Sequence, residues 1–188
     1  MSMYEALTQR RSQPKLDAPA PSADQLSRWF QCAMNAPDHG RLKPWRYWTI
    51  EGDARNALGE VLAEADALDN PDADTTQLDR TRSLPLRAPM IIVAAAQITP
   101  DHKIAPPWEQ ICAVAAGVQN LQLAIADDGM GCMWRTGGLC NHSHVKAAFG
   151  LESHDHIVGF LYVGTPTGGN KTKDIAAVEA PFVQSWKG

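Results

Sequence analysis

Long apolar runs, paired cysteines and an excess of positive charge are all missing from this sequence of 188 residues. The longest apolar stretch, 88–96, contains a proline and is far shorter than the ~20 residues that a membrane-spanning helix needs. The N-terminus lacks the apolar core of a signal peptide. The formal net charge is −4, which gives no overall attraction for nucleic acid or anionic lipid. We therefore expect a cytoplasmic protein that binds neither nucleic acid nor a membrane.

The four cysteines form no Cys-x-x-Cys pair, and we interpret them as reduced thiols that are mostly buried. Hydrophobic residues make up 44% of the chain and charged residues 20%, as in an ordinary soluble protein, so disorder and a disulfide scaffold are excluded. We expect a single domain over residues 1–188.

The hydrophobic pattern predicts helices and strands in alternation. Ser22, with Gln25 three residues later, is typical of a helix N-terminus. The continuous apolar run 89–96 indicates a central strand that is covered on both faces. The order of the elements favours a sheet sandwiched by helices over a doubly wound fold. Helices are predicted at 4–10, 23–35, 54–66, 108–127 and 144–149, and strands at 45–51, 89–96, 130–135 and 157–164.

Two segments are expected to lie outside this core. Residues 67–82 are polar and rich in Asp and Thr, which predicts an exposed, mobile surface segment. The tail 165–188 is irregular but carries Phe182 and Trp186, whose exposure is costly unless something covers them. The tail either folds back on its own domain or wraps a partner subunit, and the spacing alone does not decide between these alternatives.

Common nucleotide and nucleophile motifs fail in this sequence. The Gly-x-Gly at 129–131 is followed by Trp134 where a dinucleotide fingerprint needs glycine. The glycine-rich stretch 164–171 has Asn170 where a phosphate loop needs lysine. The sequence contains no Gly-x-Ser-x-Gly, so an esterase nucleophile is unsupported.

Three short segments could form one site, although each has an ordinary explanation when taken alone. The pair Arg10–Arg11 with Ser12 offers two guanidinium groups and a hydroxyl to an anion, or is a solvated surface. The loop 36–39 presents the imidazole of His39 directly after a helix, or simply ends that helix. The segment 134–138 follows a strand, and its glycines let backbone N–H groups approach a flat ligand, or form a plain turn.

A metal-dependent hydrolase is the alternative interpretation. Cys140, His142 and His144 alternate along the chain, which in an extended segment would aim three ligands to one side. His154 and His156 come shortly afterwards, but no established metal-binding spacing accompanies them.

Taken together, the segments resemble the nitroreductase family, in its minimal-length branch of NAD(P)H nitroreductases. The resemblance rests on the order and spacing of Arg-Arg-Ser near residue 10, Ala-Pro-Asp-His-x4-Pro-Trp near residue 40, and Trp-Glu-Gln followed by Gly-x-Gly-x-x-Trp-Arg-Thr-Gly. It extends almost from end to end, through the strand that closes at 164–166.

This resemblance implies an α+β fold, in which a central mixed or antiparallel sheet is flanked by helices in a three-layer sandwich. It also implies an intertwined homodimer with two FMN molecules at the interface. The long helix from Trp108 would form the dimer core. Arg10, Ser12 and Arg11 would hold the phosphate and ribityl end of FMN, while Asn35 and His39 would reach it from the other subunit. The residues that the resemblance assigns to FMN are Arg10, Arg11, Ser12, Asn35, His39, Trp134, Arg135, Thr136 and Gly137, with Lys171 and Lys173 as a further phosphate clamp.

The sequence departs from the family pattern at two of these places. Pro14 stands where larger members carry a lysine near flavin N1, so Arg11 or Lys15 would have to supply the positive charge. Asn35 stands where some relatives have arginine, which makes the pocket less cationic.

The implied activity is hydride transfer from NADH or NADPH to flavin N5, and then to a flat, electron-poor acceptor of the nitroaromatic or quinone type. One shared cavity would serve both half-reactions, in a ping-pong mechanism. No side chain is needed as an obligate acid, although His39 is a candidate proton donor. A flavin-binding protein without turnover, built on the same fold, is a further alternative.

Overall fold

The computed structural model describes residues 2–168 and 182–187, which form six α-helices and five strands. Short 3-10 turns at His39–Arg41, Leu84–Arg87 and Gly138–Asn141 connect some of them. The helices are α1 (Met3–Gln9), α2 (Ala23–Ala33), α3 (Ala54–Asp69), α4 (Thr75–Arg82), α5 (Pro107–Asp127) and α6 (Ser143–Ala148). The strands are β1 (Leu16–Asp17), β2 (Trp45–Glu51), β3 (Met90–Ala96), β4 (Gly131–Arg135) and β5 (His156–Pro166).

Every strand pairing in the described chain is antiparallel. The central strand β3 lies between β2 and β5, and all seven of its residues are buried, as the apolar run predicts. On the other side of β5 lies β4, in a register that pairs Gly131 with Gly164 and Arg135 with Phe160. The two-residue strand β1 pairs with the C-terminal end of β5.

The sheet separates two hydrophobic cores, because successive residues of a strand point to opposite faces. On one side, which we call the α5 face, α2 and α5 pack on the sheet and α1 contacts α5. On the other side, which we call the α3 face, α3 carries α4 and α6. Met90, Ile92 and Ala94 belong to the α5 face, whereas Ile91 and Val93 belong to the α3 face. The predicted α+β three-layer sandwich is thereby confirmed.

The N-terminus of α2 forms as its sequence predicts. The Ser22 hydroxyl accepts a hydrogen bond from the Gln25 backbone N–H, and the Gln25 side chain accepts one from the Ser22 N–H. This capping box satisfies two of the N–H groups that a helix start leaves unpaired. The helix that it starts carries Trp29, which is buried in the core of the α5 face.

The segment 67–82 differs from its prediction in one respect. Most of its side chains are exposed, as expected, but α4 forms within it. The reason is a tertiary contact, because the Thr81 hydroxyl donates a 2.6 Å hydrogen bond to the buried carboxylate of Asp66 in α3. The mobility of this segment stays a prediction. Phe182 and Trp186 are exposed, and the rest of the tail from 169 to 181 lies outside the described residues.

None of the described helices is long and apolar enough to cross a bilayer.

Candidate functional site

The arginines that come after α1 lie beside the first residues of β4. The Gln13 backbone N–H donates a 2.9 Å hydrogen bond to the carbonyl oxygen of Cys132. One guanidinium nitrogen of Arg10 lies 3.5 Å from the side-chain oxygen of Gln122, a buried residue of α5. Burial raises the pKa of the Cys132 thiol to about 12, and the nearby Arg10 charge opposes that shift. Arg10 thus lies between α5 and the first residues of β4.

The outer edge of β4 offers backbone groups to a ligand. The Cys132 carbonyl points outward to Gln13, and alternate residues of a strand direct their N–H and C=O groups to the same side. The backbone of Trp134 therefore faces the same edge, two residues or about 7 Å beyond Cys132. Among the described strands, β4 pairs with β5 alone. The predicted backbone contacts to a flat ligand have suitable groups here.

The loop after β4 leaves open space. Thr136, Gly137 and Gly138 are exposed, and no atom lies within 4 Å of a Cβ built on either glycine. Gly137 has a φ of 138°, a conformation that side-chain-bearing residues rarely adopt. The loop can therefore bring its backbone close to a bound molecule.

The Trp134 side chain belongs to the core of the α5 face. Its indole N–H donates a 3.1 Å hydrogen bond to the Val158 carbonyl oxygen, and its ring packs against buried residues of that core. Gly159 makes room for it, since a Cβ there would lie 2.2 Å from the indole nitrogen. The indole is thus committed to packing, and only the backbone of this predicted site residue faces the outer edge.

Arg135 lies on the opposite side of β4 from Trp134. Its guanidinium carbon is 5.2 Å from the centre of the Tyr162 ring, so the charge and the ring form a cation–π contact. Its Nε is buried without a hydrogen-bond partner among the described residues. Burial raises the pKa of Tyr162, and the Arg135 charge opposes the shift. An unpaired, buried guanidinium N–H is costly, so it is a strong donor for a ligand that reaches it.

His39 lies at the far end of α5 from Arg10. Its Nδ1 is 2.6 Å from a carboxylate oxygen of Glu109, in the first turn of α5. Asn35, just after α2, is exposed. Gln122, which Arg10 approaches, comes thirteen residues after Glu109, a separation of about 20 Å along the helix. Each protomer therefore carries two groups of predicted site residues, one towards each end of α5.

Comparison with known proteins identifies the family. A sequence model of the nitroreductase family matches residues 7–165. The relative named "Putative NAD(P)H nitroreductase YdjA", from Escherichia coli strain K12, is 37% identical over 183 residues, which cover 97% of this chain and 98% of the relative. The chain belongs to the nitroreductase family. The predicted family and the predicted oxidoreductase activity are confirmed.

Solved structures share the fold. A nitroreductase-like protein from Bacillus cereus superposes with a TM-score of 0.83 at 24% identity, covering 100% of this chain and 97% of that one. A nitroreductase from Bacteroides fragilis, crystallised with bound FMN, gives a TM-score of 0.72 at 20% identity, with 98% of each chain covered. At this identity the likeness concerns the fold.

The residues of the metal-hydrolase alternative do not converge. Cys140 is buried, and burial raises the pKa of its thiol to about 11. His142 lies 3.4 Å from Asp69, whereas His144 lies 2.7 Å from Glu64. Within the described ranges 2–168 and 182–187, no group of three His, Cys, Asp or Glu side chains is arranged to hold a metal ion. The three residues of this alternative therefore have separate surroundings in the described structure, and it gives the metal-site interpretation no support.

The sequence patterns do not reveal several contacts in this nitroreductase. Glu109 belongs to the Trp-Glu-Gln motif, but the motif does not mark it as the partner of His39, and no pattern points to Gln122 or Tyr162. A polar residue such as Gln122 on the buried stripe of α5 is the signal that could have found one of them. Lys171 and Lys173 lie outside the described residues, and the choice between Arg11 and Lys15 near flavin N1 stays a prediction.

Proposed function

We propose that this nitroreductase is an FMN-dependent oxidoreductase that passes hydride from NADH or NADPH to a flat, electron-poor acceptor of the nitroaromatic or quinone type. It acts as a homodimer with two flavin sites, each built from both protomers, by a ping-pong mechanism. The relatives' names support the reductant and the cofactor, since one is named an NAD(P)H nitroreductase and a structural neighbour is described as FMN- and NADPH-dependent. All four cysteines are free, and two of them, Cys32 and Cys112, are exposed rather than buried as expected; free thiols suit a reducing, cytoplasmic setting.

The residues present fit FMN. The phosphate needs cationic donors, and Arg10 lies beside the first residues of β4 with Arg11 and Ser12 directly after it. The isoalloxazine needs N–H and C=O groups along one edge, which the backbone of 134–137 can supply. The buried, unpaired Nε of Arg135 marks a cationic group close to this loop. In the proposed site these residues are joined by Asn35 and His39 of the other protomer, and by Lys171 and Lys173.

The observation that carries the shared site is the position of the two groups on α5. Arg10 and His39 of one protomer are held about 20 Å apart along the helix. Two α5 helices packed antiparallel across a twofold axis would bring Glu109 of each close to Gln122 of the other. The early arginines of one chain and His39 of its partner then meet at one flavin.

The exposed apolar surface supports this assembly. Large hydrophobic side chains are exposed on or beside α1, α2 and α5, and Trp108, at the start of α5, is 63% exposed. Exposed apolar clusters are typical of protein interfaces. The residues concerned are Met3, Tyr4, Leu7, Met34, Ile104 and Trp108.

The chain's own residues bind and orient. Arg10 and Ser12 hold the phosphate and ribityl end, and the backbone after β4 holds the polar edge of the ring. His39 orients the ring from the partner's side, and the proton that the acceptor needs can come from water, or from this imidazole when both of its ring nitrogens are protonated. The chemistry that FMN supplies when bound is hydride transfer in two half-reactions at one cavity.

Mixed dimers test the proposal most directly. Arg10→Ala and His39→Ala homodimers should each bind FMN weakly, because both of their sites lack one residue. A heterodimer of the two variants, isolated with two different affinity tags, regains one intact site and should bind about one FMN per dimer. Absorbance of released flavin against protein concentration measures this stoichiometry.

Other results would contradict the proposal. A heterodimer that binds no more FMN than either parent indicates that Arg10 and His39 serve the same protomer's site. A monomeric protein in solution, or a colourless protein that does not bind added FMN, removes the shared flavin site altogether. Oxidation of NADH or NADPH with a nitroaromatic or a quinone then tests turnover, and parallel lines in double-reciprocal plots test the ping-pong order.

A further inference from the structure

The contact between His39 and Glu109 can determine which ring nitrogen of the imidazole carries the hydrogen. The role that we infer for it rests on the proposed flavin site. The two side chains meet through Nδ1 of the imidazole and one carboxylate oxygen, 2.6 Å apart. The imidazole side chain is 58% exposed and that of Glu109 is 26% exposed. The more enclosed carboxylate thus holds the more exposed ring.

Hydrogen bonds at the start of α5 hold the backbone that carries Glu109. Its backbone N–H donates a 3.0 Å hydrogen bond to the Pro106 carbonyl oxygen at the start of α5. The next residue, Gln110, is buried and makes three hydrogen bonds, to the N–H and C=O of Thr99 and to the carbonyl oxygen of Ala105. The loop before α5 is therefore tied to the first turn that carries the carboxylate.

The loop that carries His39 is closed by its own contacts. The Asp38 carboxylate accepts a 2.7 Å hydrogen bond from the Lys43 N–H, and the Asp38 carbonyl accepts one of 3.2 Å from the Arg41 N–H. These bonds fix the backbone on both sides of His39. The imidazole thus reaches Glu109 from a defined position.

The pairing selects one form of the imidazole. An ionised carboxylate can only accept a hydrogen bond, so Nδ1 must carry the hydrogen. We propose that Glu109 is a positioning residue that holds His39 in the Nδ1–H form and leaves Nε2 as the ring atom presented to the flavin. Without this contact, a solvated imidazole prefers the other form, with its hydrogen on Nε2.

The α3 face supplies a matched control. His144 also meets a glutamate, Glu64, at 2.7 Å, but through Nε2. The two histidines therefore predict opposite forms, Nδ1–H at His39 and Nε2–H at His144. Glu64 lies on α3, a helix that contains none of the residues assigned to the flavin site.

The first measurement is made on the purified full-length protein with ¹⁵N-labelled histidine, at a pH of about 8 where an ordinary imidazole is neutral. Long-range ¹H–¹⁵N correlation spectra distinguish the two forms, and the signals are assigned with His39→Gln and His144→Gln. We expect His39 in the Nδ1–H form, a shift towards Nε2–H in Glu109→Ala, and the Nδ1–H form retained in Glu109→Gln, whose amide oxygen still accepts. Glu64→Ala should leave the His39 signals unchanged.

The second measurement is the FMN dissociation constant from quenching of flavin fluorescence. Glu109→Ala and His39→Ala should each weaken FMN binding about tenfold, the loss of one hydrogen bond. The double variant should bind as His39→Ala does, Glu109→Gln should bind close to wild type, and Glu64→Ala should match wild type.

The inference is overturned if His39 of the wild type is in the Nε2–H form, if Glu109→Ala leaves its spectrum unchanged, or if the losses in FMN affinity add in the double variant. A wild-type protein that does not bind FMN contradicts the proposed function instead. The His39 spectra in that case still decide whether Glu109 positions the imidazole.

Discussion

The two faces of the sheet differ in the side chains that their outer helices present to solvent. On the α3 face, polar contacts within one protomer close the outer helices, with Thr81 bonded to Asp66, Arg82 to Glu60 and His144 to Glu64. On the α5 face, large apolar side chains such as Tyr4 and Trp108 remain exposed. On the α3 face Leu68 and Leu86 are also exposed, so the α5 face differs in carrying more such side chains. Apart from Arg135, whose guanidinium lies over Tyr162 on the α3 face, the described residues proposed to bind FMN lie in β4 or follow α1, α2 or β4, where a second copy would add to the proposed site.

The largest expected effect comes from adding a side chain at a glycine where two helices of the same face lie close together. A Cβ on Gly117 of α5 would lie 2.8 Å from the Ala33 carbonyl oxygen, and one on Gly59 of α3 would lie 2.2 Å from that of Arg82. We expect Gly117→Val and Gly59→Val each to lower the free energy of unfolding by about 3 kcal/mol through overpacking. Urea denaturation at a fixed protein concentration measures this loss.

The two variants should differ in cofactor content. Displacing α2 moves the loop with Asn35 and His39, so Gly117→Val should lower the FMN bound per folded protomer, whereas Gly59→Val should not. The alanine variants at the same positions serve if valine prevents folding. Equal loss of FMN from both would show that the faces are not independent.

A smaller effect is expected from the contact that joins α3 to α4. The Thr81 hydrogen bond, with help from Asn70, holds the pKa of Asp66 below its ordinary value. Such a carboxyl group stabilises the folded state above its unfolded pKa, and this stabilisation is lost as the pH falls through the folded pKa. Thr81→Val should cost about 1.5–3 kcal/mol at neutral pH.

The difference between Thr81→Val and wild type should shrink as the pH falls below about 4, the ordinary range of aspartate. Denaturation curves at several pH values check the trend. Thr76→Val, at an exposed threonine of the same helix, is the control and should change little. A gap that stays constant down to low pH would refute the role of the Asp66 charge, and FMN binding should be the same in all three proteins.

The smallest effect is expected at the surface of the α3 face. His144 and Glu64 are 37% and 60% exposed, so their pairing is screened by water. Glu64→Gln should change the free energy of unfolding by less than about 1 kcal/mol, and the change should fall further when the salt concentration is raised to about 0.5 M. A larger, salt-independent loss would mean that this face depends on the pair more than its exposure indicates.

The sequence predicts most of the fold because local signals agree with the tertiary structure. Ser22 and Gln25 start α2, and the apolar run before Gln97 forms the central strand. The signal fails where distant partners decide. The strand β1 exists because Leu16 pairs with Pro166, and α4 is packed on α3 by the bond from Thr81 to Asp66.

The candidate site is predictable in its components but not in their arrangement. The motifs identify Arg10, His39 and the segment at Trp134. They do not reveal that the indole of Trp134 is used for packing, because backbone and side chain of one residue face different surroundings. They also miss the contact of His39 with Glu109, which depends on how a loop meets the start of a helix seventy residues later.

In the proposed dimer, the stretch of α5 from Glu109 to Gln122 would be a spacer of fixed length between the two half-sites. One inserted residue would turn everything beyond it by about 100° and shift it by about 1.5 Å, so that one half-site could no longer face its counterpart. Loops elsewhere in this enzyme can change length without that penalty. In enzymes that share this flavin geometry, insertions and deletions should therefore lie outside the segment between these two residues.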